Sequence, residues 1–160
     1  MALGCGRMSK FFDKVALVTG GFDPIHSGHI SYLDRARELG DQLIVGVNSD
    51  EWLVRKKGLY FLPRRERVKI ISNLRMVHDV ISYDDKDNSS SKGIEKCLEI
   101  SEKVIFCNGG DRKKDNILEM EVFKDNPRVE FVFGIGGDDK MNSSSWILED
   151  YFKQRKLLGI

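Results

Sequence analysis

The chain has 160 residues, with 26 basic and 25 acidic side chains and a formal net charge of +1. This near-neutral balance gives no global positive field, so we expect neither a nucleic acid nor a membrane surface as a partner. The apolar runs over residues 42–47 and 128–133 have the length of strands and fall far short of the about 20 residues that span a bilayer. Length and composition predict one soluble, cytoplasmic domain.

The cysteines and the N-terminus indicate a reducing compartment. Cys5, Cys97 and Cys107 are odd in number and lack metal-type spacing, so we expect neither a disulfide framework nor a zinc site. The first residues lack the long apolar segment of a secretory signal, and Met8 is a candidate natural start, so Met1–Arg7 need not be native. We expect residues 1–10 to form a flexible segment and residues 11–160 to form the functional domain.

A glycine-rich turn joins the first predicted strand to the first predicted helix. Residues 14–19 form a continuous, β-branched apolar run, which is typical of a central strand covered on both faces. Gly20-Gly21-Phe22-Asp23-Pro24-Ile25-His26-Ser27-Gly28-His29 follows, and the helix begins near Ser27 and ends before Gly40. The glycine pair lets a ligand approach the backbone closely, and the two histidines face the same space. The turn is typical of phosphate handling at a helix N-terminus.

A second buried strand over residues 42–47 completes a β-α-β unit, and a basic cluster follows it. Clusters such as Arg55-Lys56-Lys57-Gly58 are more often solvated surface than ligand sites. This one follows a strand whose carboxyl end lies on the same rim as the histidine turn, which favours contact between Lys56 or Lys57 and a phosphate.

The next helix begins at Pro63 and carries Arg64, Arg65, Glu66 and Arg67 in its first turn. Positive charge at a helix N-terminus is locally unfavourable, so this cluster is either surface charge or lies near an anion. A short strand is predicted over residues 78–83. The polar segment 84–92 is expected to be an exposed, mobile loop.

The remaining elements repeat the alternation of helix and strand. A helix is predicted over 93–100, a strand over 104–107, a helix over 117–123 and a strand over 129–133. Gly109-Gly110-Asp111 follows the fourth strand, and Ser143-Ser144-Ser145 caps a terminal amphipathic helix. The pattern predicts an α/β protein with a single Rossmann-like, doubly wound sheet of about five parallel strands and helices on both faces. Its glycine-rich segments should line one crevice at the carboxyl ends of the strands.

The turn at Gly20–His29 resembles the cytidylyltransferase-like nucleotidyltransferases, whose signature is a strand, G-x-F-D-x-x-H-x-G-H and a helix. Further matching segments resemble bacterial heptose-phosphate adenylyltransferases in the same order, and glycerol-3-phosphate cytidylyltransferases share most of them. These segments are Tyr32–Asp41, Val47–Asp50, Lys57-Gly58, Glu66-Arg67, Gly109–Asp111 and the serine run. The similarity extends from Lys14 to Phe152, and the composite is a specific signal.

This resemblance implies a nucleotidyltransferase that joins a nucleoside monophosphate to a sugar or polyol phosphate and releases pyrophosphate, for a surface-glycan or envelope precursor. It implies His26, His29 and Lys57 as catalytic residues, and Lys56, Arg67 and Lys140 as contacts of the acceptor. The implied nucleotide-binding residues are Gly20, Gly21, Phe22, Asp23, Gly28, Gly110, Asp111, Ser143, Ser144 and Ser145. Mg²⁺ is expected to arrive with the nucleoside triphosphate, without a protein carboxylate cage. A homodimer is a further expectation.

The base of the nucleotide is less strongly indicated. The cytidylyl enzymes carry R-T-x-G-I-S-T-T before the last helix, whereas this chain reads Asp138-Asp139-Lys140-Met141-Asn142-Ser143-Ser144-Ser145. The missing arginine and glycine favour adenylyl over cytidylyl transfer. A nucleotide-binding regulatory module without catalysis is the alternative, and a dinucleotide-dependent oxidoreductase is disfavoured because G-x-G-x-x-G is absent from the first turn.

Overall fold

The computed structural model describes residues 11–110, 112, 117–136 and 143–160. In these parts of the chain, strands and helices follow in the order β1-α1-β2-α2-α3-β3-α4-β4-α5-β5-α6. The strands are β1 Phe12–Gly20, β2 Gln42–Val47, β3 Asp79–Ile81, β4 Ser101–Cys107 and β5 Val129–Val132. The helices are α1 Ser27–Arg37, α2 Asp50–Lys57, α3 Arg64–Ser72, α4 Ser91–Ile100, α5 Leu118–Phe123 and α6 Ser144–Leu157.

The five strands form one sheet in the order β3-β2-β1-β4-β5, and every pairing is parallel. This confirms the predicted sheet and the central position of β1. The chain leaves β1 towards β2 on one side and later returns to pair β4 on the other, so the strand order reverses between β1 and β4. In open parallel sheets such a reversal opens a crevice beyond the carboxyl ends of the strands.

Two separate apolar layers cover the sheet. On one face, Leu33 of α1 and Ile71 of α3 pack with Ala16 and Val18 of β1. On the other face, Ile94 of α4 and Phe123 of α5 pack with Val15 and Leu17 of the same strand, among others. Each fully buried aliphatic side chain of this kind stabilises the fold by about 1.5–3 kcal/mol relative to exposure. The helices therefore lie on both faces, as predicted.

Helix α2 was not predicted, because the basic cluster was interpreted without a secondary-structure assignment. Ser49 caps this helix by accepting a hydrogen bond from Trp52 N at 3.0 Å, and Gly58 ends it with a φ of 86°. Asp50 and the lysines at the other end complement the helix dipole. Only Leu53 is buried, so the apolar periodicity that identifies a helix in a sequence is almost absent.

The segment 84–92 is only partly the exposed loop that its polarity predicted, because four of its nine residues are buried. Asp85 is 4% exposed, and its carboxylate accepts hydrogen bonds from Ser49 N, Ser49 Oγ and Asn48 Nδ2 at 2.7, 2.7 and 3.2 Å. Ser90 is 3% exposed, and its backbone N–H donates to Glu119 Oε1 at 2.6 Å. Polar side chains are buried here because each finds a partner within the fold.

Some sequence predictions lie outside the described residues. They concern residues 1–10, Asp111 and the segment 138–142 with Lys140. Within the described parts, no helix combines the length and the apolar character needed to cross a membrane.

Candidate active site

A cavity of about 540 Å³ opens where β1 and β4 end, and we call it the main cavity. Its walls are the turn after β1, the first turn of α1, part of α2, the segment after β4 and the first turn of α6. Most of the predicted site residues line it: Gly20, Gly21, Phe22, Asp23, His26, Gly28, His29, Lys56, Lys57, Gly110, Ser143, Ser144 and Ser145. The cavity lies where the strand order reverses between β1 and β4, which is the usual position of a ligand site in an open parallel sheet.

His26 and His29 cap helix α1 reciprocally. The backbone N–H of Gly28 donates to His26 Nδ1 at 3.1 Å, and the backbone N–H of His26 donates to His29 Nδ1 at 3.2 Å. This is a capping box in which two histidines replace the usual serine and glutamate. The two rings stack with 3.8 Å between their centroids.

These hydrogen bonds determine which nitrogen of each ring can donate to a ligand. Since each Nδ1 accepts a backbone N–H, the single hydrogen of a neutral imidazole lies on Nε2. Burial, the nearby His26 ring and the charge of Lys57 together lower the pKa of His29 from 6.5 to about 3. His29 is therefore neutral at physiological pH and presents an Nε2–H donor.

Two unusual backbone positions shape this wall of the main cavity. Gly28 lies beneath the His26 ring, and a Cβ at this position would come within 2.9 Å of His26 Cε1. Phe22 has a φ of 52°, a left-handed conformation that costs about 1 kcal/mol or more in a non-glycine residue. Its buried ring contacts the edge of His29 at 5.1 Å between centroids, which helps to hold the histidine in place.

Cations from two further segments line the main cavity. Lys56 and Lys57 belong to the last turn of α2, and the Lys56 Nζ lies 4.5 Å from the centre of the Trp52 ring. Arg112 follows the glycine pair after β4. Asp23 also lines the cavity, but it is 2% exposed, and its two carboxylate oxygens accept hydrogen bonds from Phe61 N and Leu62 N at 2.6 and 2.7 Å. The lining is suited to a polyanion.

The three serines before and within α6 have different environments. Ser143 Oγ accepts a hydrogen bond from Trp146 N at 3.1 Å and is the N-cap. The Ser144 hydroxyl donates to Pro24 O at 2.8 Å, which ties α6 to the turn after β1. The Ser145 side chain is exposed. The backbone N–H groups of Ser144 and Ser145 lie in the first helical turn, where no carbonyl of the helix can accept them.

Arg67 was expected to contact an acceptor, and the structure corrects this expectation. Its side chain is fully buried and is not part of the cavity lining. The guanidinium donates to the carbonyls of Leu62, Gly21 and Asn48 at 3.0, 2.8 and 2.9 Å, and to Asp50 Oδ1 at 2.6 Å. All three nitrogens are thus occupied by acceptors of the protein, and Arg67 holds the turn, the end of β2 and the segment before α3 together.

The main cavity also contains residues that the sequence analysis did not name as site residues. They are Thr19, Ser31, Tyr32, Trp52, Leu53, Cys107, Asn108, Gly109, Arg112, Ile135 and Gly136. The sequence could have indicated Arg112 as a site residue, because it is a basic residue that closely follows a glycine pair at the end of a strand. Burial raises the pKa of Tyr32, and its hydroxyl donates to Cys107 O at 2.7 Å, so Tyr32 bridges α1 and β4. No pattern in the sequence indicated that contact.

The arrangement combines groups that stabilise negative charge at phosphorus. Two imidazole N–H donors and the N-terminus of α1 lie on one wall of the main cavity. Lys56 and Lys57 lie on a second wall, and the N-terminus of α6 forms a third. Helix N-termini and preorganised donors bind phosphate and stabilise the charge that develops during phosphoryl transfer. The described residues contain no group of three or more His, Cys, Asp or Glu side chains that could hold a metal ion.

Comparisons with known proteins agree with this chemistry. The sequence profile described as Cytidylyltransferase-like matches residues 17–156. The bifunctional protein HldE of Hahella chejuensis is 37% identical over 112 residues, which are 69% of this chain and 22% of that protein. The HldE of Geobacter sulfurreducens is 30% identical over 141 residues, covering 86% of this chain and 28% of that protein. The chain thus spans less than a third of the length of these curated relatives.

Solved structures show the same architecture. The lipopolysaccharide core biosynthesis protein from Thermoplasma volcanium is 29% identical, with a TM-score of 0.59 over 76% of this chain and 95% of that one. A Vibrio parahaemolyticus protein provisionally described as a nicotinate-nucleotide adenylyltransferase has a TM-score of 0.61 over 89% of this chain and 88% of that one. At 16% identity, it supports the fold alone.

The sheet and the histidine turn define the class of the chain as an α/β protein with a phosphate-handling site at the carboxyl ends of its strands. It belongs to the cytidylyltransferase-like family.

Proposed function

We propose that the chain transfers a nucleoside monophosphate, adenylyl in preference to cytidylyl, from a nucleoside triphosphate to a sugar or polyol phosphate. The observation that carries this proposal is the pair of histidines whose Nδ1 atoms are engaged by backbone N–H groups at the N-terminus of α1. The resemblance to heptose-phosphate adenylyltransferases supports the adenylyl donor. Similarity to a lipopolysaccharide core biosynthesis protein supports an envelope-glycan product.

In the proposed reaction, an oxygen of the acceptor phosphate bonds to the α-phosphorus, and the bond to the bridging oxygen of the β-phosphate breaks. Pyrophosphate leaves with that oxygen. The attacking phosphate is already anionic, so the reaction depends on alignment and charge neutralisation rather than on a strong base.

The residues of the main cavity match these needs. Nε2–H groups of His26 and His29 donate to phosphoryl oxygens, and the neutral His29 ring keeps its donor fixed while charge develops. Lys57 and Arg112 neutralise the triphosphate or the acceptor phosphate. The first turn of α6 offers backbone N–H groups to the β- and γ-phosphates.

Mg²⁺ belongs to this proposal as the ion that accompanies the triphosphate. The described lining offers no carboxylate cluster, and the Asp23 oxygens are engaged by backbone N–H groups. Phosphate oxygens and water would therefore be its main ligands, as is common for this ion, and it would supply charge neutralisation.

Pyrophosphate release tests the proposal. The protein is incubated with ATP, CTP, GTP or UTP and a set of sugar and polyol phosphates in the presence of Mg²⁺. We expect acceptor-dependent pyrophosphate with ATP, and a loss of about 10²-fold or more in kcat for His26→Ala and His29→Ala. His78→Ala is the matched control, because His78 contacts Phe12 and does not line the main cavity.

Unchanged rates in both histidine variants would contradict the assigned roles. Calorimetric binding of a nucleotide without turnover against any acceptor would instead favour a regulatory module.

A further inference from the structure

A second cavity of about 350 Å³, which we call the side cavity, lies next to the main cavity. Asp23, Lys57 and Ser145 line both cavities, and the other walls of the side cavity come from Leu59 and from α6. We propose that the side cavity binds the body of the acceptor, with Glu149 and Phe152 as specificity-determining residues. This inference rests on the proposed function and adds the site of its second substrate.

The shared residues give the acceptor a fixed orientation. Lys57 lies where the cavities meet, and within the described part of the chain it forms no ion pair with a protein carboxylate. A phosphate that contacts Lys57 would lie beside the histidine turn while the rest of the molecule extends into the side cavity. The reacting oxygen is then on the correct side for attack on a nucleotide in the main cavity.

Glu149 gives the side cavity its selectivity for hydroxyl groups. This residue is exposed on α6 and forms no ion pair among the described residues. Asp23 is 2% exposed, and each of its oxygens already accepts a backbone N–H group of the 61–62 segment, so Glu149 is the more accessible carboxylate of the side cavity. An ionised carboxylate only accepts hydrogen bonds, so its natural partners are the O–H donors of a sugar or polyol.

Apolar side chains form the remaining walls. Leu59 is 55% exposed and Phe152 is 57% exposed, and Leu148 also lines the side cavity. Large apolar side chains left exposed beside a polar site commonly mark a ligand surface. Walls of this kind, with a few placed polar groups, suit a compact ligand that has C–H faces and hydroxyl edges, such as a sugar ring.

The wall that carries Leu59 is attached directly to the histidine turn. The Asp23 carboxylate accepts the backbone N–H groups of Phe61 and Leu62, so the segment after α2 is fixed relative to His26. Ser144 donates to Pro24 O and fixes the start of α6 in the same way. Both walls of the side cavity are thus positioned by the turn that we propose to perform the chemistry.

Steady-state kinetics with separate titration of the two substrates tests the inference. We use Glu149→Gln and Phe152→Ala with the nucleotide and acceptor pair that gives the most pyrophosphate with the wild type. We expect each variant to raise the KM for the acceptor about tenfold or more, because Glu149→Gln removes the charge of the hydrogen-bond acceptor and Phe152→Ala removes an apolar wall, while the KM for the nucleotide stays within twofold.

Adjacent residues of the same helix provide matched controls. Asp150→Asn and Tyr151→Ala change the same chemical groups at exposed positions that do not line the side cavity, and both should leave both KM values unchanged. An unchanged acceptor KM in Glu149→Gln and Phe152→Ala would overturn the inference. A rise in the nucleotide KM alone would also overturn it, because the cavity would then hold part of the nucleotide.

A binding measurement separates this inference from the proposed function. If no pair gives pyrophosphate, the proposed function fails, and the side cavity is tested by calorimetry with glycerol 3-phosphate, a heptose phosphate and inorganic phosphate. Binding of either organic phosphate that is weakened about tenfold by Glu149→Gln, with inorganic phosphate unaffected, supports the site. No binding, or equal binding to both proteins, overturns it.

Discussion

Two basic segments lie on either side of Pro63, and the fold uses them in opposite ways. Lys56 and Lys57 end α2 and line the main cavity. Arg67, in the first turns of α3, is completely buried and bonds to three backbone carbonyls and Asp50. The first segment carries charge that faces a ligand site, whereas the second carries charge that connects parts of the protein.

The contrast shows that the role of a basic residue depends on the acceptors within its reach. A buried charge is tolerated only when protein groups replace its hydration, and the planar fork of arginine can reach several acceptors at once. Arg67 is surrounded by carbonyls left over at the end of β2 and in the loop before α3. Lys57 has no such acceptors among the described residues, which leaves its charge to act on a ligand.

The largest expected effect concerns Arg67, the buried residue of this comparison. Arg67→Met keeps the aliphatic volume but removes the charged donor of three carbonyls and leaves Asp50 with only the Arg64 backbone N–H, and we expect the free energy of unfolding to fall by about 3–5 kcal/mol. Urea denaturation measures this change. Arg65→Met is the control, since Arg65 is exposed on the same helix, and its loss should be within about 0.5 kcal/mol. Equal effects for the two variants would remove the distinction between buried and surface charge.

For Lys57, which lines the main cavity, we expect a loss of activity without a loss of stability. Lys57→Met is expected to lower kcat/KM by about 10²-fold, because a cation beside the reacting phosphates is lost, while the urea midpoint stays nearly unchanged. Lys69→Met, at an exposed position of α3 outside the main cavity, should change neither quantity. If Lys57→Met unfolds the protein as readily as Arg67→Met, the two segments share a structural role.

A smaller effect tests whether activity depends on the position of the His26 ring. Gly28→Ala should move the His26 ring, because the new Cβ would come within 2.9 Å of it, and we expect kcat to fall about 10-fold to 100-fold. Stability should hold or rise, since alanine favours a helix by about 1 kcal/mol over glycine. Ser27→Ala, at the exposed neighbouring position, is the control for kinetics and thermal melting. A fully active Gly28→Ala would mean that the ring position is unimportant.

The last effect is spread over several pH units and concerns the pH dependence of stability. His29 has a pKa of about 3 in the folded protein and 6.5 ordinarily, so between these values the unfolded chain binds more protons. The free energy of unfolding should therefore be greatest above pH 6.5 and fall as the pH decreases, by up to about 1.4 kcal/mol per pH unit. His29→Gln should show a shallower fall between pH 6.5 and 4.5 in urea titrations, whereas His78→Gln should retain the wild-type slope. Parallel curves for all three proteins would contradict the shifted pKa.

Much of the site could be predicted because its key residues are local in sequence. The spacing of His26 and His29 and the glycines around them place two rings at one helix N-terminus without any long-range information. Arg67 could not be assigned in this way, because its acceptors lie 5 to 46 positions away along the chain. The burial of Ser90 and Asp85 was likewise hidden, since their partners come from β1, from the turn between β2 and α2, and from α5.

The sequence by itself determined the parallel α/β sheet, the central strand and the phosphate-handling turn. Periodicity, capping residues and glycine positions act over a few residues and do not require knowledge of the fold. Only the tertiary structure decided which cations reach the main cavity and which polar segments are buried, because these outcomes depend on hydrogen-bond partners from distant segments. The same applies to the side cavity, whose walls from Leu59 and from Leu148 to Phe152 meet only when α6 docks against the turn after β1.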